Sequence, residues 1–377
     1  MNETVFLCAI ILSVYSCASG TVDKNGGQQL LSVLDTKSES RYFMNHFEIA
    51  EIVSIQTNEA FLVPDVKRLI RYKDKIILLS AKNNQILVIN ANNGKVENCI
   101  NSQGTGPGES RKILDIAFDE SSRQIVVYND YYKLLFFDLE GKYLSEVKVG
   151  ELYEEMAMEN GKIIFFNKLD GYSCYPYMLN VFDVKNKTWS EIGRNDKIDF
   201  AIRSQGNLLV KSKRVWFNAP LDFGLFLYEK QEAKSPYKLN LSASNLSKDL
   251  IKESISDPQA FFRKVMDGDL IYGFNSIRET KDYLVFRSNQ SGLFILNKGD
   301  NKVYRDRVIE DRNLGMNIVN YYYPHGGDDD KILFVLSPEI YLAHRQLATE
   351  DSVINRLDSL NIKEEDNPIL IFYKEKG

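Results

Sequence analysis

The chain has 377 residues, and its 47 Lys and Arg against 52 Asp and Glu leave a formal charge of −5, so there is no basic excess to displace counterions from a nucleic acid. With 44% hydrophobic and 26% charged residues it can bury a core and is not a disordered acidic tail. No apolar run approaches the roughly 18–20 residues of a membrane-spanning helix, and 3 His with 4 Cys are too few for a dense transition-metal site.

Val5 to Ser16 are apolar or small, uncharged, and end at Cys17. Such a run fits the hydrophobic region of a signal peptide and is too short to cross a bilayer. Val14-Tyr15-Ser16-Cys17 resembles a bacterial lipobox: an aliphatic residue three before the Cys and a small one just before it. The resemblance implies a Cys17 thiol diacylated and a chain hung from a membrane by lipid. An ordinary secretory signal or a buried first strand is the alternative, and Met1 to Thr4 carry none of the Lys or Arg that usually open a signal. Residues 18–41 are polar and contain Gly and Ser, which predicts a flexible tether. Beyond the leader only Cys99 and Cys174 remain, 174 − 99 = 75 residues apart in separate units, so two buried thiols are expected rather than a disulfide.

From residue 42 to the end the chain repeats. Apolar runs close in Asn, Asp or Glu at Asn90, Asp138, Asp183, Glu229 and Asn297, at intervals of 48, 45, 46 and 68 residues. Turns such as Asn93-Gly94-Lys95 and Glu140-Gly141-Lys142 follow, then a return strand. Ahead of each marker, or closing the series, stand six β-prone runs: Lys75–Leu79, Gln124–Tyr128, Lys162–Phe166, Arg214–Phe217, Asp282–Phe286 and Lys331–Val335. Their nearly continuous apolar character predicts strands covered on both faces. Six units of about four short strands fit sheets stacked radially around an axis, with a β-sandwich of accidental spacing as the competing reading. Residues 242–269 and 338–365 break the rhythm and predict helical insertions, the first capped at Ser244-Asn245. Pro368–Tyr373 predicts a final strand, whose partner from the other end of the chain is Phe47–Val53 or Ala60–Val63.

The order of repeats, the loop Gly104-Thr105-Gly106-Pro107-Gly108-Glu109 and the closing Asp366–Lys374 resemble the exported six-bladed β-propeller proteins of Bacteroidetes, relatives of NHL-repeat and TolB-like propellers. The likeness runs from about Glu48 to the end. It implies an all-β, six-bladed β-propeller with short helical insertions, and an outer-membrane lipoprotein facing the periplasm or the surface. The fourth unit departs from the pattern, having no Asn-Gly-Lys turn.

Little in the sequence points to catalysis. The glycine loop lacks both the G-x-G-x-x-G spacing and the Gly-Lys-Ser/Thr of phosphate-binding loops, and reads as a crossover between units. His46, His325 and His344 are scattered, and Asp328-Asp329-Asp330 precedes a strand as a hairpin turn would, so no metal site and no cofactor is expected. Asp115, Glu154 and Arg278 could line a channel. The remaining signal is aromatic. Tyr131, Tyr132, Tyr172, Tyr175 and Tyr177 fall in segments expected on one loop-rich face, while Arg71 and Tyr72, with Tyr321–Tyr323, are expected to add to the axial funnel. Tyrosine stacks on sugars and grips peptides with little loss of entropy. The expected function is therefore a membrane-tethered, non-catalytic propeller that binds a glycan, a peptide or an envelope protein. A lactonase-like hydrolase or lyase with axial carboxylates or a metal is the alternative.

Overall fold

A computed structural model describes residues 19–20, 22–23, 28–36, 42–101, 103–150, 153, 155–166, 177–194, 209–219, 221–241, 246–323, 330–348, 357 and 359–377. Their strands assemble into six antiparallel four-stranded blades around a common axis. Blade 1, the simplest, runs outward through Arg68–Tyr72, Lys75–Ser80, Gln85–Asn90 and Val96–Ile100. Blades 2 to 5 begin with the inner strands Ile113–Asp119, Glu155–Glu159, Leu209–Lys211 and Phe274–Glu279. Blade 6 orders Tyr322–Tyr323, Lys331–Leu336, Ile369–Glu375 and, outermost, Phe47–Ser54. An early strand, Phe47–Ser54, thus pairs antiparallel with the last one, Ile371 opposite Ile52, and ties the ring shut.

The unbroken apolar runs have a simple cause. Alternate residues of a strand point to opposite faces, and every blade is covered on both. Ile76 and Leu78 of blade 1 pack towards blade 6 against Leu333 and Phe372. Their neighbours Ile77 and Leu79 pack towards blade 2 against Ile116 and Ile125. Equivalent clusters fill the seams between blades 2 and 3, 3 and 4, 4 and 5, and 5 and 6.

Turn residues set the registers. Asn160 and Gly161, at φ of 50° and 74°, make the two-residue hairpin that pairs Glu159 with Lys162, a turn whose twist matches the strands and which requires φ > 0 at both positions. Gly94, at φ 72°, lies against blade 6: a Cβ there would stand 1.8 Å from the Ser54 carbonyl oxygen, and Gln56 N–H donates to the Gly94 carbonyl at 2.8 Å.

A second repeat accompanies the strands. After the second strand of blade 1, Asn84 Oδ1 accepts from Ile113 N–H of blade 2 at 2.6 Å. In blade 4, Asn218 Oδ1 accepts from Phe274 N–H of blade 5 while its amide donates to the Asp222 and Gly224 carbonyls. Asn367 of blade 6 takes Val63 N–H at 2.8 Å and donates to the Gln56 and Phe61 carbonyls. Asn129 and Asn289 hold corresponding loops within and beside their blades. An amide can donate and accept at once, so it satisfies the backbone groups that each crossover leaves without a strand partner.

Helices interrupt the blades at two places. Lys248–Ser256 and Pro258–Asp267 join blades 4 and 5, and Pro338–His344 lies between the second and third strands of blade 6. Ser247 caps the first helix, its Oγ accepting from Leu250 N–H at 3.1 Å; Ser244 and Asn245, the expected caps, lie outside the described residues. Cys99 is a half-buried free thiol whose pKa burial raises.

One expectation needs correction. The stretch taken as a flexible tether, residues 18–41, contributes an eight-residue strand, Gln29–Thr36. Its first half pairs parallel with the outer strand of blade 4, Leu31 opposite Leu239, and its second half with that of blade 5, Val33 opposite Val303. Leu31 is buried in the seam between those blades and Val33 packs beside it, whereas Leu30 and Leu34 face outward. Outer blade edges offer unpaired N–H and C=O groups, and this strand satisfies them while Leu31 and Val33 turn inward.

Candidate functional site: an axial basin

All six blades contribute to a cavity of about 520 Å³ on the axis. Blade 1 supplies Arg68 to Lys73, blade 2 Ile116 to Phe118 with Glu120, and blade 3 Met156 to Met158. Blade 4 adds Val210 to Ser212, blade 5 Arg278, and blade 6 Asp330 and Lys331. Lys73, Glu120 and Asp330 are exposed and belong to the turns that follow or precede inner hairpin strands, so the basin opens on that end of the ring. Part of the lining is apolar, including Ile70, Ala117, Met156, Met158 and Val210.

The charged lining is unbalanced. Arg68, Arg71, Lys73, Lys211, Arg278 and Lys331 meet just two lining acids, Glu120 and Asp330. Arg68 forms a bidentate pair with Asp115 of blade 2, Nε to Oδ1 at 2.7 Å and Nη2 to Oδ2. Arg71 Nη1 and Lys331 Nζ share one oxygen of Glu51, at 2.7 and 3.4 Å. Lys211 Nζ reaches Glu159 at 3.3 Å, and Arg278 Nη1 donates to the Lys211 carbonyl at 2.9 Å. Asp115, Glu51 and Glu159 are not part of the lining. Ser212, which is, locks blade 4 to blade 5 by exchanging hydrogen bonds with the Glu279 backbone. Burial alone would raise the Glu279 carboxyl pKa, but donors from Arg214 and Trp216 and the charges of Arg214 and Lys298 outweigh it and hold the group below the ordinary range.

The residues expected to form a site divide between the two ends of the ring. Arg71 and Tyr72 line the basin beside the first hairpin of blade 1, where Tyr72 pairs with Lys75. The Tyr72 ring packs on Phe118 at 4.7 Å and carries the Lys73 ammonium at 5.1 Å. Tyr131 and Tyr132 follow Asn129, which pairs with Ile113 at the start of an inner strand, and so stand at the opposite end. There Arg111 covers the Tyr131 ring at 4.8 Å, while Tyr132 is exposed at φ 58°. Tyr177 begins a strand of blade 3, and its side chain, like Tyr172, Tyr175, Glu154 and Cys17, lies outside the described residues. Asp115 and Arg278 are buried on inner strands, Asp115 in the Arg68 pair and Arg278 in the basin wall. The glycine loop is a crossover from blade 1 to blade 2, and Gly106 N–H donates to the Glu109 carboxylate at 2.8 Å, so the loop holds its own anion.

Lys73, Lys211, Lys331 and Glu51 were not singled out from the sequence. Their signal is positional: basic residues recur where inner hairpins turn, in Arg71-Tyr72-Lys73, Lys211-Ser212-Lys213 and Asp330-Lys331. Among the described residues no three His, Cys, Asp or Glu side chains group as a metal site would require.

Ring closure and basin together define a six-bladed β-propeller with an axial pocket. Residues 33–374 match the model of DUF4934, a domain of unknown function, and the chain belongs to that family. It is similar in fold to a Bacteroides fragilis protein assigned as exported, with a TM-score of 0.76 and 18% identity over 93% of this chain and 100% of that one. A member of the DUF4221 family from Bacteroides vulgatus superposes with a TM-score of 0.51 and 12% identity over 88% and 99% of the two chains. A comparison with curated proteins returns no match.

Proposed function

We propose that this chain is an exported recognition propeller, tethered to a membrane through lipid on Cys17, that holds a ligand in its axial basin without transforming it. The observation carrying this reading is the basin itself. Its volume lies within the roughly 300–1,000 Å³ of small-molecule sites, and apolar walls with a few convergent polar groups are what such sites present. A glycan, a peptide or a loop of an envelope protein could enter from the hairpin end. Of the two aromatic surfaces expected from sequence, the one at Arg71 and Tyr72 is favoured, because those two residues line the basin. Export is supported by the Val5–Cys17 segment and by the export assignment of the B. fragilis neighbour, and tethering by the lipobox-like Val14–Cys17. Kinship with NHL-repeat and TolB-like propellers belongs to the same reading.

The test is a screen of glycans, peptides and envelope extracts against the wild type, the basin variant Arg71→Ala/Tyr72→Ala and the opposite-end variant Tyr131→Ala/Tyr132→Ala. Binding lost in the first variant and kept in the second supports the basin; the reverse pattern removes it. Metabolic labelling with an alkynyl fatty acid, abolished by Cys17→Ser, tests the anchor.

A further inference from the structure

We infer that the ligand of the axial basin is an amphiphilic anion: an organic acid, carboxylate or sulfate, joined to an apolar body. This rests on the basin being the binding site and specifies what it selects.

The first argument is charge. A chain of net charge −5 gathers six cationic side chains around one cavity with two acids in the same lining. Acids that partner several of these cations stand outside the lining, so the cavity side of the wall is predominantly basic. Arg71 and Lys331 converge on the same Glu51 oxygen, which places two positive charges beside one negative one. Arg278 is 3% exposed and uses a neutral carbonyl, that of Lys211, as one acceptor. Planar guanidinium groups suit carboxylate and sulfate oxygens, which they bind with charge-assisted hydrogen bonds.

The second argument is the rest of the wall. The half-buried Ile70 and the nearly inaccessible Met156, Met158 and Val210 give the lining apolar contacts that a fully hydrophilic polyanion would leave unused. Methionine is adaptable and accepts apolar bodies of varied shape. A neutral sugar fits less well. Its usual stacking platform would be Tyr72, whose ring already contacts Phe118 and Lys73.

Calorimetric titration of the full chain with octanoate, octyl sulfate and octanol tests the inference. Both anions are expected to bind at one site, with octanol at least about tenfold weaker, as loss of charge-assisted contacts implies. The half-buried rim variant Lys211→Met/Lys331→Met should weaken the anions by about tenfold or more and leave octanol unchanged, and Arg278→Lys should retain part of the affinity that Arg278→Met loses. Circular dichroism confirms that each variant is folded. Equal binding of octanol and octanoate, absence of anion binding, or anion affinity unchanged in folded Lys211→Met/Lys331→Met overturns the inference. A neutral ligand from the screen that is lost in Arg71→Ala/Tyr72→Ala would overturn the anion class while keeping the basin as the site. Binding that ignores every basin variant would remove both.

Discussion

Asp115 of blade 2 pairs with the Arg68 guanidinium of blade 1, and its carboxylate also accepts the Met156 N–H of blade 3 at 2.8 Å, so one side chain joins three inner strands. Both members are nearly inaccessible, with side chains 8% and 1% exposed. The pair sits at the edge of the basin, where Arg68 forms part of the wall. What holds the ring together and what shapes the pocket are therefore the same contacts.

Asp115→Ala should destabilise the fold by about 3–5 kcal/mol, the usual loss when one member of a buried pair is removed and its partner stays charged. The companion change Arg68→Met in the same chain should recover part of that loss. Urea unfolding of the two variants measures both. Equal stability of wild type and Asp115→Ala would show that the pair contributes nothing.

Asn218→Ala should lose about 2–4 kcal/mol, because Phe274 N–H and the Asp222 and Gly224 carbonyls lose a common partner in a fully buried position. Asn92→Ala, at an exposed turn, should change stability by less than about 0.5 kcal/mol. The contrast separates the inter-blade asparagines from asparagines that merely suit turns, and thermal unfolding reads it.

Val33→Pro removes a backbone donor from the strand Gln29–Thr36, which spans from blade 4 to blade 5. Hydrogen exchange should accelerate in Glu232–Asn240 and Lys302–Asp306, the outer strands it joins. A freely hanging tether would leave both unchanged.

Acid should weaken the junction between the helical insertion and blade 5. Asp269 accepts both Arg305 nitrogens, at 2.7 and 2.9 Å, and Arg307 at 2.5 Å. Burial pushes its pKa up, but these donors and charges prevail and bring it from 3.8 to about 2. A depressed folded-state pKa means that the carboxylate's contribution is present above pH 3.8 and is lost as pH falls towards about 2. The Asp269 side chain is 36% exposed, so solvent screens the effect. Asp269→Asn should flatten the fall in stability across that window, as measured by denaturation at a series of pH values.

The repeating architecture was legible in the amino-acid sequence because strand burial is local. A run such as Lys75-Ile76-Ile77-Leu78-Leu79 declares that both faces of its strand are covered, whatever covers them. Spacing then counted the units, and Pro368–Tyr373 marked one closing strand while leaving Phe47–Val53 and Ala60–Val63 as candidates for its partner, of which the fold pairs the first. The asparagines that follow second strands, Asn129, Asn218 and Asn289, were equally visible but carried no meaning until their partners in crossover loops were known. Other features depended on residues distant in the chain. Gln29–Thr36 carries Leu30, Leu31, Val33 and Leu34 but lies in a stretch that is otherwise polar, and it becomes a strand because two blade edges lie open beside it. Arg71 and Arg278 were expected near the axis, but Lys73, Lys211 and Lys331 look like ordinary scattered charges in sequence. Folding brings their strands around one axis, and that convergence, which no local pattern encodes, creates the basin and its positive wall.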